Sequence, residues 1–144
     1  MTNCTAVLFL CTGNICRSPL AEFAARSLFD AEAFTFSSAG TNAVAGSAVA
    51  RHMREVAVDY GLDISDHTAT PLSQCAQPNI LFGMEQHHLI TASGHFPDLD
   101  VSKIRLLDHP SAIADPYGSG IDAYRNAASR IVSVLESLDT ESLR

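Results

Sequence analysis

A cysteine and an arginine, separated by five residues, are the side chains of this sequence best suited to catalysis. Cys11 follows the apolar residues 7–10, and Arg17 is followed at once by Ser18 and Pro19. The apolar run predicts a buried strand over residues 6–10. Serine is a favoured helix N-cap and proline a favoured first helical residue, so Ser18 and Pro19 predict the start of a helix. Residues 11–17 should therefore form a tight loop between a strand and a helix.

A loop of this kind suggests phosphoryl transfer. Its backbone N–H groups converge at the positive end of a helix dipole, which binds oxyanions and favours the thiolate form of Cys11. The planar guanidinium of Arg17 can bind two phosphate oxygens at once. A nucleophile beside an anion site predicts a phosphocysteine intermediate. The plainer alternative is a buried strand-end cysteine and a surface arginine.

Asp115 is the candidate general acid. A thiolate that attacks a phosphate monoester needs a group to protonate the leaving oxygen. Asp115 lies in a loop over residues 109–120, and the following Pro116 restrains its backbone to an extended conformation. The alternative is an ordinary aspartate that starts a turn before proline.

Strand and helix patterns alternate along the chain, which predicts an α/β fold. The expected strands cover residues 6–10, 34–38, 80–84 and 104–107. The expected helices cover residues 19–31, 49–60 with Gly61 as the stop, 85–93 with Gly94 as the stop, and 124–138, with a short helical turn near Ser73. This alternation predicts a single domain over residues 1–144, with a parallel sheet covered by helices on both faces. The functional crevice should lie at the carboxyl ends of the strands, where Cys11 is placed.

Composition limits the possible functions. A hydrophobic fraction of 47% predicts a globular chain rather than a disordered one. The net charge of −7 argues against nucleic acid or an anionic membrane as a partner, so an anion site must be locally positive. We expect no signal peptide and no membrane insertion. The four cysteines show no disulfide-framework spacing, which favours a reducing, cytoplasmic location.

Residues 10–22, Leu-Cys-Thr-Gly-Asn-Ile-Cys-Arg-Ser-Pro-Leu-Ala-Glu, resemble the signature of the low-molecular-weight protein tyrosine phosphatases. The resemblance continues through residues 38–41, 61–67 and 115–117, in the same order as in that family. It implies a four-stranded sheet ordered 2-1-3-4. It also implies a hydrolase that removes phosphate from phosphotyrosine through Cys11, with Arg17 binding the phosphate and Asp115 as general acid.

The same resemblance implies the remaining site residues. The phosphate-binding loop would comprise Thr12, Gly13, Asn14, Ile15 and Cys16 together with Arg17, and the Ser18 hydroxyl would stabilise the thiolate. Asn14, Ser38 and His67 would form a hydrogen-bonded network that supports the loop. Ile15, Val44 and Tyr117 would form the substrate wall. Cys16 would form a protective disulfide with Cys11 under oxidation, which predicts a redox-sensitive enzyme.

Three positions bear on the substrate. The related protein-arginine phosphatases resemble this chain but have threonine where it has Ile15, which favours phosphotyrosine here. Val44 stands where the family usually has an aromatic residue, and Thr70 where it commonly has arginine.

The alternative functions are a phosphatase for another phosphomonoester or for phosphoarginine, and a non-catalytic phosphate-binding or redox-sensing module. The arsenate reductases of this fold need further cysteines that residues 82–89 lack.

We expect no cofactor and no metal, because the adjacent His87 and His88 should point apart on a helix and so not chelate together. The expected partners are phosphotyrosine proteins, among them an autophosphorylating tyrosine kinase.

Overall fold

The computed structural model describes residues 4–143. Residues 1–3 and 144, the ends of the predicted domain, lie outside the described part. The strands are β1 (Thr5–Cys11), β2 (Phe34–Gly40), β3 (Ile80–Gly83) and β4 (Ile104–Leu106). The helices are α1 (Arg17–Leu28), α2 (Arg51–Val58), α3 (Gln86–His95) and α4 (Ile121–Ser137). Short 3₁₀ turns cover Leu72–Gln74, Val101–Lys103 and Thr140–Leu143.

All four strands are parallel, as the alternation of elements predicted, and their order in the sheet is β2-β1-β3-β4, as the family resemblance implied. Cys11 pairs with Gly40 at the end of β2, and Leu10 pairs with Gly83 at the end of β3. The carboxyl ends of three strands therefore meet where β1 ends, which is where crevices form in open parallel sheets.

Helices cover both faces of the sheet. Successive side chains of β1 point to opposite faces, so that each face has an apolar core. Phe9 faces one core, which it shares with residues of α1, α2 and α4. Leu8 and Leu10 face a smaller core with Ala92 of α3. Within residues 4–143, no helix combines the length and apolar character that a bilayer span requires.

The start of α1 differs from the prediction. The helix begins at Arg17, Cys16 is its N-cap residue, and no side chain caps it. Ser18 thus lies inside the first turn and is not the N-cap, since its hydroxyl is bonded to Cys11 and Asn14 instead. The helix also ends at Leu28 rather than near Ala31.

Two glycines predicted to end helices have different roles. Gly94 lies inside α3, which continues to His95, since an exposed glycine lowers helix stability without ending the helix. Helix α2 ends at Val58, and Gly61 closes the turn that follows, with a φ of +71°. The short helical turn expected near Ser73 is present as the 3₁₀ turn Leu72–Gln74.

Candidate active site

The loop from Cys11 to Arg17 curls tightly at the end of β1. Asn14 adopts a left-handed conformation with φ of +56°, which asparagine tolerates better than most residues. Gly40 lets β2 approach the loop, because a Cβ there would stand 2.4 Å from the Thr12 carbonyl oxygen. Backbone N–H groups of Thr41 and Asn42 donate to the carbonyls of Cys11 and Thr12, each at 2.9 Å. The end of β2 thus holds the first residues of the loop.

The Ser18 hydroxyl lies beside the Cys11 thiol. The two atoms are 2.9 Å apart, and both residues are buried. Ser18 Oγ accepts a hydrogen bond from Asn14 Nδ2 at 2.8 Å, and its single proton has two acceptors in reach, the sulfur at 2.9 Å and the Ala39 carbonyl oxygen at 3.3 Å, of which the sulfur is the nearer. This contact is suited to stabilising a thiolate.

A buried polar network lies behind the loop. Asn14 donates from Nδ2 to Ser38 Oγ at 3.0 Å, and His67 Nε2 lies 3.1 Å from the Asn14 carbonyl oxygen. The Thr70 N–H donates to Asn14 Oδ1 at 2.8 Å, and Ser38 Oγ donates to Glu22 at 2.5 Å. The structure therefore brings Asn14, Ser38 and His67 together. Satisfied buried networks hold a backbone in one conformation.

Arg17 is only 1% exposed and is held by two strong contacts. Its Nη1 donates to Glu85 Oε2 and to the Ile113 carbonyl oxygen, both at 2.7 Å. Burial of Glu85 opposes ionisation, but the Arg17 hydrogen bond and charge still hold the pKa of Glu85 below its usual value. This partly buried ion pair orients the guanidinium.

A cavity of about 310 Å³ opens over the loop. It is lined by all residues from Cys11 to Arg17 except Asn14, whose side chain faces the network. The remaining lining residues are Asn42, Val44, Ser47, Asp115 and Tyr117. Ile15, Val44 and Tyr117 thus border one cavity, in which Val44 and Tyr117 are 73% and 64% exposed and form its outer rim.

Asp115 lines the same cavity, with its Oδ2 3.7 Å from Arg17 Nη2. Its Oδ1 accepts the Tyr117 N–H at 3.1 Å, which fixes the direction of the carboxyl group. Two other aspartates of this region lie elsewhere: Asp108 is bonded to Arg130, and Asp122 to Arg125. Among the described residues, Asp115 is the carboxylic acid that lines the cavity.

Cys16 is a buried thiol that lines the same cavity as Cys11. Burial is the largest cause that raises the pKa of Cys16 to about 12, and the charges of Cys11 and Asp115 add to it. The Tyr124 side chain hydrogen-bonds to Cys16 and partly offsets this rise. Cys16 therefore stays protonated near neutral pH and has little nucleophilic character of its own.

The expectation that His87 and His88 point apart is wrong. Their ring centroids are 4.1 Å apart, and ligand atoms of Glu85, His87 and His88 lie within 4.8 Å of one another. The reason is local: Glu85 is the N-cap of α3, and the His88 ring folds back to its N–H, while His87 turns toward the Glu85 carboxylate. Both His88 nitrogens are already hydrogen-bonded, and Glu85 binds Arg17.

Several contacts of the site were not predicted from the sequence. Glu85 and His88 follow β3, and residues after a parallel strand face the crevice, so their position was a usable signal. Asn42 follows β2 in the same way, and Glu22 lies in α1 at the end of the signature residues 10–22. Tyr124 and the lining residue Ser47 had no such local signal, because the fold alone brings them to the loop.

This arrangement, a thiol at a strand end in a tight loop that leads into a helix, matches a known family. The family model of the low molecular weight phosphotyrosine protein phosphatases matches residues 6–144. The chain belongs to this phosphatase family. Its fold matches that of solved members of the family.

Individual members of the phosphatase family show the same agreement. The chain is 30% identical over 123 residues to the low molecular weight protein-tyrosine-phosphatase Wzb of Salmonella typhi, covering 82% of this chain and 80% of that one. The structure of Vibrio vulnificus Wzb in complex with benzylphosphonate superimposes with a TM-score of 0.84 at 26% identity, covering 94% and 97% of the two chains. The protein-arginine-phosphatase of Bacillus subtilis is 28% identical over 140 residues, covering 92% and 93%.

Proposed function

We propose that this phosphoric monoester hydrolase removes phosphate from phosphotyrosine in proteins through a phosphocysteine intermediate. One observation supports this most strongly: Cys11, Arg17 and Asp115 line a single cavity bordered by Ile15 and Tyr117. A nucleophile, a phosphate-binding cation and a proton donor face the same space, which is the requirement for a two-step displacement.

In the first step, Cys11 attacks the phosphorus of the bound monoester. Arg17 and the loop N–H groups bind the phosphoryl oxygens and stabilise the charge that builds on them. A sulfur–phosphorus bond forms, and the bond from phosphorus to the phenolic oxygen breaks. Asp115 gives its proton to that oxygen, so that neutral tyrosine leaves.

In the second step, water hydrolyses the phosphocysteine. Asp115, now ionised, takes a proton from the attacking water. The phosphorus–sulfur bond breaks, and the thiolate that leaves is stabilised by the Ser18 hydroxyl, whose oxygen lies 2.9 Å from the sulfur. Inorganic phosphate is released, and both residues return to their starting state.

The cavity walls favour an aromatic ester. Ile15 and Tyr117 present apolar surface at the mouth, which suits a flat ring. The similar Vibrio vulnificus Wzb is found with benzylphosphonate, a phosphonate with an aromatic ring. The second candidate substrate is phosphoarginine. It is favoured by the similarity to protein-arginine-phosphatases and by Val44, which adds an aliphatic side chain to the rim beside Tyr117.

The proposed partners are phosphotyrosine proteins, among them an autophosphorylating tyrosine kinase. The proposed location is the cytoplasm, which is consistent with free thiols at Cys4, Cys11, Cys16 and Cys75. The net charge of −7 supports a protein substrate over nucleic acid.

The test compares two peptides of identical sequence, one with phosphotyrosine and one with phosphoarginine. The chain should have the higher kcat/KM for phosphotyrosine, and Ile15→Thr should shift the ratio toward phosphoarginine by about tenfold, the usual scale for a changed pocket contact. Cys11→Ser serves as the inactive control. A higher kcat/KM for phosphoarginine in the unaltered chain would contradict the proposed substrate.

A further inference from the structure

His88 is a fully buried histidine with a defined tautomer. Its Nδ1 lies 3.0 Å from the backbone N of Glu85, and because a backbone N–H only donates, Nδ1 must be unprotonated. Burial is the largest cause that lowers the pKa of His88 to about 3, followed by the charges of His87 and Arg17. The ring is therefore neutral near neutral pH, and its single proton is on Nε2.

That proton is directed at Thr12, the second residue of the loop. His88 Nε2 lies 2.9 Å from Thr12 Oγ1, so the imidazole donates and the hydroxyl accepts. Within residues 4–143, His88 is the one side-chain partner of this hydroxyl. The proton of Thr12 is consequently available to an acceptor in the cavity, which Thr12 lines together with Arg17.

The surroundings of His88 keep this geometry. Gly83 leaves room for the start of α3, because a Cβ at Gly83 would lie 3.0 Å from the His88 Cβ. The Glu85 carboxylate, on the residue whose N–H binds His88, also binds Arg17 at 2.7 Å. His88 thus links Thr12 of the loop to the residue that holds the arginine.

We propose that His88 is a positioning residue that orients the Thr12 hydroxyl as a hydrogen-bond donor to the phosphoryl group in the cavity. This rests on the proposed function, since it assumes that the phosphate of the substrate lies against the loop. The hydroxyl would add a side-chain donor to the backbone N–H groups and to Arg17. Donors aimed at phosphoryl oxygens before binding stabilise both bound phosphate and the transition state.

Three variants separate this role from a structural one. His88→Asn places an acceptor near the position of Nδ1 and keeps the bond to the Glu85 N–H, but it is too short to reach Thr12. His88→Gln places an amide N–H near the position of Nε2 and retains the donor. Thr12→Val removes the hydroxyl with little change of shape, and Thr12→Ser is its matched control, which keeps the hydroxyl.

The measurements are binding of inorganic phosphate by titration calorimetry and kcat/KM for a phosphotyrosine peptide. Thr12→Val and His88→Asn should each weaken both by about tenfold, the scale of one hydrogen bond to a charged group. His88→Gln should recover part of the loss, and Thr12→Ser should bind phosphate more tightly than Thr12→Val. The double variant of Thr12→Val and His88→Asn should lose no more than either single variant.

The inference is overturned by normal phosphate binding in Thr12→Val, or by losses in the double variant that are the product of the single losses. Thermal unfolding identifies any variant that fails to fold. If His88→Asn fails to fold, the result for Thr12→Val decides alone.

Phosphate binding needs no turnover, so it also separates the two proposals. An unaltered chain that binds phosphate through Thr12 but hydrolyses nothing contradicts the proposed function alone. An active chain in which Thr12→Val binds phosphate normally contradicts only the role of His88.

Discussion

Cys11 and Asp115 place opposite demands on pH. The thiol must be ionised to attack, and the carboxyl must be protonated when the phenol leaves. The rate should therefore be bell-shaped in pH with a mildly acidic optimum. Asp115 lines the same cavity as Cys11, and its half-exposed carboxyl group lies 3.7 Å from Arg17, so a proton donor and the guanidinium face one space.

Asp115→Asn tests this role, because an amide cannot donate the required proton. It should lower the rate for phosphotyrosine by about 10²–10⁴-fold, the usual range for general acid catalysis. The loss should be far smaller for an aryl phosphate with a very acidic phenol, which needs no acid to leave. The basic limb of the pH profile should flatten.

Asp108→Asn is the matched control, since that carboxylate is bonded to Arg130 outside the cavity. Equal slowing of both substrates would assign the acid elsewhere.

Cys16 should protect the nucleophile from irreversible oxidation. Its thiol pKa of about 12 keeps it protonated, so peroxide should oxidise Cys11 first, and Cys16 should then condense with the sulfenic acid. Mild peroxide should inactivate the enzyme and a dithiol should restore it, with poorer recovery in Cys16→Ser. Peptide mass spectrometry after peroxide should show the Cys11–Cys16 disulfide. Equal recovery in both proteins would reject the protective role.

At the residue scale, local pattern and distant contact differ in how far they could be predicted. The loop from Cys11 to Arg17 was predictable because strand, loop and helix are consecutive in the sequence. The partners of Arg17 and Thr12 were not, because Glu85 and His88 lie 68 and 76 residues away along the chain. Ser18 was wrongly predicted as the N-cap, because serine favours that position. In the structure its hydroxyl is bonded to the Cys11 sulfur instead.

Strand β2 matters to the site through its last residue. Gly40 pairs with Cys11 and lies against the loop backbone, where a Cβ would stand 2.4 Å from one carbonyl oxygen and 3.0 Å from the Asn14 nitrogen. Backbone atoms cannot move aside as a flexible side chain can. The edge strand therefore sets the shape of the phosphate-binding loop, although it contributes no side chain to the cavity lining.

Gly40→Ala should consequently damage both stability and activity. The free energy of unfolding should fall by about 1–3 kcal/mol, the usual cost of overpacking. The kcat/KM should fall by up to about a hundredfold, because the loop shifts relative to the phosphate. Denaturant unfolding and kinetics measure the two effects. Gly94→Ala is the control: it lies in α3 with open space around its Cβ position, and should be stabilised by about 1 kcal/mol with normal activity. Normal activity in Gly40→Ala would show that β2 does not shape the loop.

Elements were predicted better than their ends. Apolar runs and helical spacing of apolar residues, among other local patterns, led to the prediction of all four strands and four helices, since these residues pack in the two cores. Helix ends were less predictable because they depend on neighbouring contacts. Gly94, for example, does not end α3. Backbone conformation in the loop agreed better with residue type, since Asn14 has the left-handed conformation that asparagine allows.

At the scale of the whole molecule, an acidic chain carries the proposed anion site. The net charge is −7, yet the cavity contains the buried Arg17 at the N-terminus of α1. The parallel order β2-β1-β3-β4 is what gathers this site, because it places the end of β1 between the ends of β2 and β3. The strand order followed from the family resemblance, whereas composition and periodicity predicted only a parallel sheet.

Direct detection of the phosphoenzyme tests the central claim, that hydrolysis proceeds through Cys11. A phosphotyrosine peptide is mixed with excess enzyme and the reaction is stopped with acid within milliseconds, and the protein is digested for mass spectrometry. We expect one phosphoryl group on the peptide that contains Cys11, formed and lost at rates that match turnover, and none in Cys11→Ser. Turnover without phosphate on Cys11, or hydrolysis by Cys11→Ser, would contradict the mechanism.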